Sequence, residues 1–206
     1  MRKYYLLTIL ILLLPFAAWS WMGTIMVGGG QTVAPCTTAQ DAETDADSLA
    51  YDFGKTSGDV WIATKFVAGN TDDGVATANY TACSAAVQLE PAVAGSGSET
   101  IRACIYSDDA TDDPNALIGS CSDTVTISSL SSGSNTVSFL NMSASLTDGT
   151  TYWLVLYTSG YHATNYVKWW SENSETTAYI TYDGNGSGDW AEYSTSRSCK
   201  YTLYSE

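Results

Sequence analysis

The stretch "TTYWLVLYTSGYHATNYVKWW", residues 150–170, decides the fold. It carries seven aromatic rings and the only histidine of the chain, His162. Extended backbone sends successive side chains to opposite faces. Tyr152, Leu154 and Leu156 therefore share one face, and Trp153, Val155 and Tyr157 share the other. Both faces are apolar, as expected of a central strand covered on each side. The face with the two leucines is the better core face. Trp153 and Tyr157 are then covered by loops or left partly exposed. Across residues 165–171, Tyr166, Lys168 and Trp170 alternate with Val167 and Trp169. Lys168 marks its set as the solvent-facing one. Rings flanking a lysine suit a saccharide, whose C–H patches lie on aromatic faces while polar side chains fix its hydroxyls.

The same period of two extends outward along the chain. In "DVWIATKFVA", Trp61, Ala63 and Lys65 oppose Ile62, Thr64 and Phe66. "YTACSAAVQLE" places Cys83, Ala85, Val87 and Leu89 together. "ETIRACIYS" places Ile101, Ala103 and Ile105 together, so Cys104 faces the other way beside Arg102 and Tyr106. "LIGSCSDTVTI", "NTVSFLNM", "TTAYITYD" and "CKYTLYS" read as further strands. "SSGSN", "LTDG", "TSGYHA" and "DGNGSGD" supply turn signals between them. No stretch keeps a helical period. Short strands divided by turns predict an all-β fold, an antiparallel β-sandwich of jelly-roll-like type.

The first residues read differently. Arg2 and Lys3 precede an apolar run, and Ala18-Trp19-Ser20 supplies a small-residue cleavage pattern. Residues 1–20 are expected to be a secretory signal peptide; retention as a membrane anchor is the alternative. Residues 21–48, glycine-rich and then acidic, are expected to be a flexible lead-in. A single sandwich domain is expected over residues 49–206. Gly28 to Gly30 lack the lysine and the strand–helix frame of a phosphate loop.

Charge and cysteine content narrow the partners. The formal net charge is −14, and loss of Arg2 and Lys3 with the leader makes it more negative. Such a field disfavours nucleic acid and anionic membranes. Cys36, Cys83, Cys104, Cys121 and Cys199 form an odd set. Export permits two disulfides with the fifth thiol free, or joined to another chain. No CxxC occurs, and one histidine does not make a zinc site.

"ETIRACIYSD", "DDPNALIGS", "NTVSFLNMSASLTDGTTYWLVLY" and the terminal "CKYTLYS" occur in this order. Together they resemble a class of secreted β-sandwich domains found in bacterial surface proteins and beside carbohydrate-binding or anchoring modules. The likeness covers roughly residues 49–206. It implies a sandwich fold at a cell surface. It does not fix the ligand, because such sandwiches carry many roles.

Chemistry-bearing residues are sparse. Asp108, Asp109, Asp112 and Asp113 crowd one loop, where their mutual repulsion is relieved by solvent, lysine or a cation. Structural calcium is the metal expected there. Asp183, Asn185 and Ser187 resemble the first half of a calcium loop, without its closing glutamate. Asn79, Asn141 and Asn185 begin glycosylation sequons. Catalysis is not expected. Glu172 and Glu175 are the first carboxylates to suspect in a glycosidase, but no local sequence distinguishes them, and no GxSxG frames Ser159. The expected function is a non-catalytic module binding a polysaccharide or cell-surface glycan through Trp153, Tyr166, Trp170, Trp190 and Tyr193. A structural or adhesive subunit that binds other proteins at the cell surface is the alternative.

Overall fold

The computed structural model describes residues 36–43, 47–57, 60–69, 78–109, 111–172, 180–183, 189–195 and 197–206. All of them fall in one unit, Pro35–Glu206. The expected leader, the first part of the lead-in, the glycine loop 184–188 and Glu175 lie outside the described residues.

The strands follow the alternation read from the sequence. β1 (Thr38–Glu43), β2 (Asp47–Phe53), β4 (Tyr80–Ala82), β5 (Ser84–Pro91), β9 (Asn135–Phe139), β10 (Ala144–Leu146), β12 (Val167–Glu172) and β15 (Tyr201–Ser205) build one side of the molecule. β3 (Trp61–Val67), β6 (Thr100–Asp108), β7 (Pro114–Leu117), β8 (Val125–Thr126), β11 (Thr151–Thr158), β13 (Ile180–Asp183) and β14 (Ala191–Ser194) build the other. The first sheet runs β1-β15-β5-β12-β2, with β9 also on β5; β4 and β10 form a short pair beside it. The second sheet runs β14-β13-β3-β11-β6-β7, with β8 also on β6. The described strand pairs are antiparallel. Residues 85–87 of β5 pair with both β9 and β15, and Leu89 pairs with both β9 and β12. A strand has two edges, so β15 and β12 lie end to end along one edge of β5, with β9 along the other.

The two sheets pack face to face, as a sandwich requires. The second sheet contributes Ile62 and Phe66, Ile101, Ala103 and Ile105, and Tyr152, Leu154 and Leu156. The first contributes Ala85, Val87, Leu89, Phe139, Trp169 and Leu203. The leucine face of β11 is thus the core face, as its composition requires. The Cys199 amide donates to Thr64 Oγ1 at 3.0 Å, and the Trp169 indole donates to the Lys200 carbonyl at 2.8 Å.

Two expectations need correction. Residues 38–43 are not lead-in but the edge strand β1, paired with β15 and tethered by the Cys36–Cys83 disulfide. Within β1, Asp41 is 2% exposed and accepts hydrogen bonds from the Gly69 amide and the Tyr80 hydroxyl. Acidic composition suggested solvation, but two donors waiting in the fold satisfy this carboxylate. Residues 117–127 are not one strand. The chain there crosses between structures: Ile118 and Ser122 donate to β6 carbonyls, Ser120 pairs with Ser143, and Asp123 donates to the Leu140 carbonyl. The Cys104–Cys121 disulfide holds this strap.

Gly119 sits in the strap with φ of 69°. A Cβ there would lie 1.6 Å from the Ser143 carbonyl oxygen. Gly119→Ala should therefore cost about 2 kcal/mol or more in chemical denaturation, since both backbone strain and a backbone clash oppose it. Cys199 is the one free cysteine and is buried, which pushes its thiol pKa well up. Thiol titration should find no rapidly reacting group in the folded protein and one after unfolding without reductant. A second thiol under those conditions would break the disulfide assignment.

Candidate functional site

The outward face of the second sheet collects the aromatic side chains. With the inward residues of β3, β11 and β6 spent on the core, alternation turns the intervening ones outward. Register then sorts them into rows. Trp61, Tyr157 and Arg102 form the first; Ala63, Val155 and Cys104 the second; Lys65, Trp153 and Tyr106 the third. Asp183 of β13 lies opposite Trp61 and extends the first row.

Side-chain size shapes this face. The small middle row lets rings from the outer rows meet above it. The Trp61 ring stands 6.0 Å from Tyr106, 5.1 Å from Tyr157 and 6.3 Å from Trp190. The Tyr106 and Trp190 contacts are edge-on, an arrangement that aromatic quadrupoles favour. Beneath these rings Ala63, Trp153 and Val155 are fully buried. Trp61, Tyr106, Tyr157 and Trp190 remain partly exposed. The Arg102 guanidinium lies 4.5 Å from the Tyr157 ring centroid.

Charged groups brace the buried indole. Trp153 Nε1 donates to Asp108 Oδ1 at 2.6 Å, and Lys65 Nζ pairs with Asp112 Oδ1 at 2.9 Å. Burial pushes the Asp108 pKa up. The indole hydrogen bond opposes that shift, and the nearby Asp112 charge adds to it.

The five aromatics expected to bind ligand fall in three places. Trp153 and Trp190 belong to the outward face of the second sheet, but Trp153 is 0% exposed and offers a ligand no surface. It supports the face from below. Tyr166 and Trp170 lie with Lys168 on the outward side of the first sheet, as the lysine indicated. There Lys55 sits 4.8 Å over the Tyr166 ring, and Lys168 pairs with Glu90 at 3.3 Å. Trp170 is half-buried, and among the described residues its Nε1 has no hydrogen-bond partner. Tyr193 lies where β14 meets β2: its ring is 4.3 Å from Tyr182 and 5.3 Å from Tyr51. Its hydroxyl donates to the Asp52 carbonyl, so it links the edges of the two sheets.

The four loop aspartates do not converge. Asp108 accepts from the indole, and Asp112 holds Lys65. Asp109 accepts from the Thr111 hydroxyl and amide and from the Asp113 amide, which keeps its pKa below the usual carboxylate range. Burial raises the pKa of Asp113, with help from its acidic neighbours. Among the described residues, no group of three or more His, Cys, Asp or Glu side chains is placed to hold a metal ion. His162 caps its own turn, with its Nδ1 3.1 Å from Thr164 Oγ1.

Trp61, Tyr106, Tyr157 and Arg102 were absent from the expected ligand-binding set. Alternation had already set each apart from Ile62, Leu154 or Ile105 on the opposite face of its own strand. What was missing was the register that brings three separate strands side by side. No family model matches this chain, and neither does any curated protein or solved structure.

Asp108 gives the site a pH dependence. Its raised pKa means that the folded state holds the proton more tightly than the unfolded chain. Its stabilising contribution is full below the ordinary carboxylate pKa and is lost as pH rises through the raised value. Asp108→Asn keeps an acceptor for the indole and has no proton to lose. Thermal melts should show the variant gaining on the parent protein as pH rises from 4 to 7. An unchanged difference across that range would remove the argument.

Proposed function

We propose that the chain is a secreted, non-catalytic β-sandwich module that binds a polysaccharide or cell-surface glycan on the outward face of its second sheet. The observation that carries this reading is the contact cluster of partly exposed rings, Trp61, Tyr106, Tyr157 and Trp190, over a fully buried layer. Rings at fixed orientation on paired strands offer a preformed surface. Little conformational entropy is then lost when a sugar stacks on them. Arg102 and Lys65 stand among the rings and supply polar contacts.

Two further features support the setting. The expected leader directs export, and the two intramolecular disulfides suit an oxidising compartment. No helix among the described residues is long and apolar enough to cross a membrane. Burial of Cys199 leaves no surface thiol among the described cysteines for joining another chain. The likeness to sandwich domains of bacterial surface proteins agrees with the same reading.

The test is a depletion assay of the purified protein against insoluble and soluble polysaccharides, read together with tryptophan fluorescence. Saturable binding is expected. Trp61→Ala should raise Kd about tenfold or more, as removal of an aromatic anchor does, while its circular dichroism stays unchanged. Absence of binding across the panel would overturn the reading and leave protein recognition as the role of this face.

A further inference from the structure

The cations of the aromatic face are held differently. Lys65 is neutralised by Asp112. Arg102 is half-buried and stacked on Tyr157, and among the described residues it makes no ion pair. Its Nε is buried, with no hydrogen-bond partner among the described residues. A guanidinium cannot shed its charge, so taking it out of water without an anion is costly. Stacking on a tyrosine offsets only part of that cost.

The chain does not lack carboxylates, with 22 acidic residues against eight basic ones. The ladder nevertheless puts neutral residues around Arg102: Tyr157 across the strand pair, then Trp61, and Cys104 two residues along β6. Glu99 is three residues away, just before β6 begins. Its own Oε2 is likewise buried, with no hydrogen-bond partner among the described residues. The two charges do not pair with each other.

We infer that Arg102 receives the anionic group, carboxylate or sulfate, of an acidic saccharide whose ring lies along the Tyr157–Trp61 row. This rests on the glycan-binding reading above. The row from Arg102 to Trp61 spans two strand spacings, about 10 Å, room for one or two sugar rings with the acid group at one end. The planar guanidinium suits either anion through paired N–H donors. The strongly negative chain repels a dense polyanion within a Debye length, about 8 Å at physiological salt. The ligand chemistry that fits is therefore acidic units separated by neutral ones.

The experiment uses the unaltered protein and four oligosaccharides of equal length. One alternates glucuronate with N-acetylglucosamine, the second is its carboxyl methyl ester, the third carries sulfate in place of the carboxylate, and the fourth is neutral. One or both acidic sugars should bind about tenfold tighter than the ester and the neutral sugar, the scale of one charge-assisted hydrogen-bonded contact. Whichever acid binds tighter names the anion. Arg102→Gln should bring acid and ester to equal affinity, whereas Trp61→Ala should weaken every sugar that binds. Equal binding of acid, ester and neutral sugars by the unaltered protein would overturn the role of Arg102 and leave glycan binding standing. No binding by any polysaccharide or oligosaccharide would overturn both. The comparison of both acidic sugars with the ester and the neutral sugar decides the matter even if the Arg102 variant does not fold.

Discussion

The structure depends on a strand that cannot be left uncovered on either side. β11 carries Tyr152, Leu154 and Leu156 inward and Trp153, Val155 and Tyr157 outward, and five of these six are buried. Fully burying a large apolar side chain is worth about 1.5–3 kcal/mol, so both faces of β11 draw cover. The inward face is covered by a whole second sheet. The outward face has no third layer among the described residues. It is covered by side chains of its own sheet, with Trp61 and Tyr106 reaching over the small middle row toward each other. That difference makes one face a core and the other a surface paved with rings.

The sandwich closes through contacts that composition alone conceals. Along one side, β1 is held to β15 by its ladder, to Cys83 by a disulfide and to Gly69 and Tyr80 through Asp41. Along another, Tyr193 of β14 stacks near Tyr51 of β2. Between them the strap of residues 118–123 donates to β6 and to the Leu140 carbonyl, with Cys121 bonded to Cys104. The outward face of the second sheet is therefore braced covalently at Cys104, in the middle row of the aromatic surface. Edge strands, strap and disulfides all fix the register on which that surface depends.

Much of the fold was legible because it follows from a period of two. The inward sets Ile62–Thr64–Phe66, Ile101–Ala103–Ile105 and Tyr152–Leu154–Leu156 were each readable within a single strand, and each lies on the inward face. Lys168 likewise identified its own outward face. The site was less legible because it is a property of pairing. Trp61 and Tyr157 are 96 positions apart in sequence and become neighbours only through the β3–β11 register. Local spacing gave Trp153 the same standing as Trp190, although one lies beneath the face and the other at its rim. β1 was missed for a different reason. An acidic segment reads as solvated unless the donors that bury its carboxylate are known, and those donors come from Gly69 and Tyr80.

A paved outward face need not be a binding surface, since rings can serve only to cover a strand. The charged groups beneath and beside the rings weigh against that simpler account. Cover alone is achieved at less cost by apolar residues, because buried ionisable groups must be desolvated and then satisfied. Here the indole of Trp153 is anchored by a carboxylate whose pKa burial has raised, and Arg102 stands stacked but without an anion among the described residues. Desolvation of the Asp108 carboxylate costs stability at neutral pH, and the buried Nε of Arg102 has no hydrogen-bond partner among the described residues. The first fixes the orientation of a ring that supports the surface, and the second holds a cation ready at the end of a row of rings. Orientation and a waiting charge are of no use to a strand that merely needs covering. They are what the proposed glycan-binding surface needs to hold a polar, ring-shaped ligand in one register.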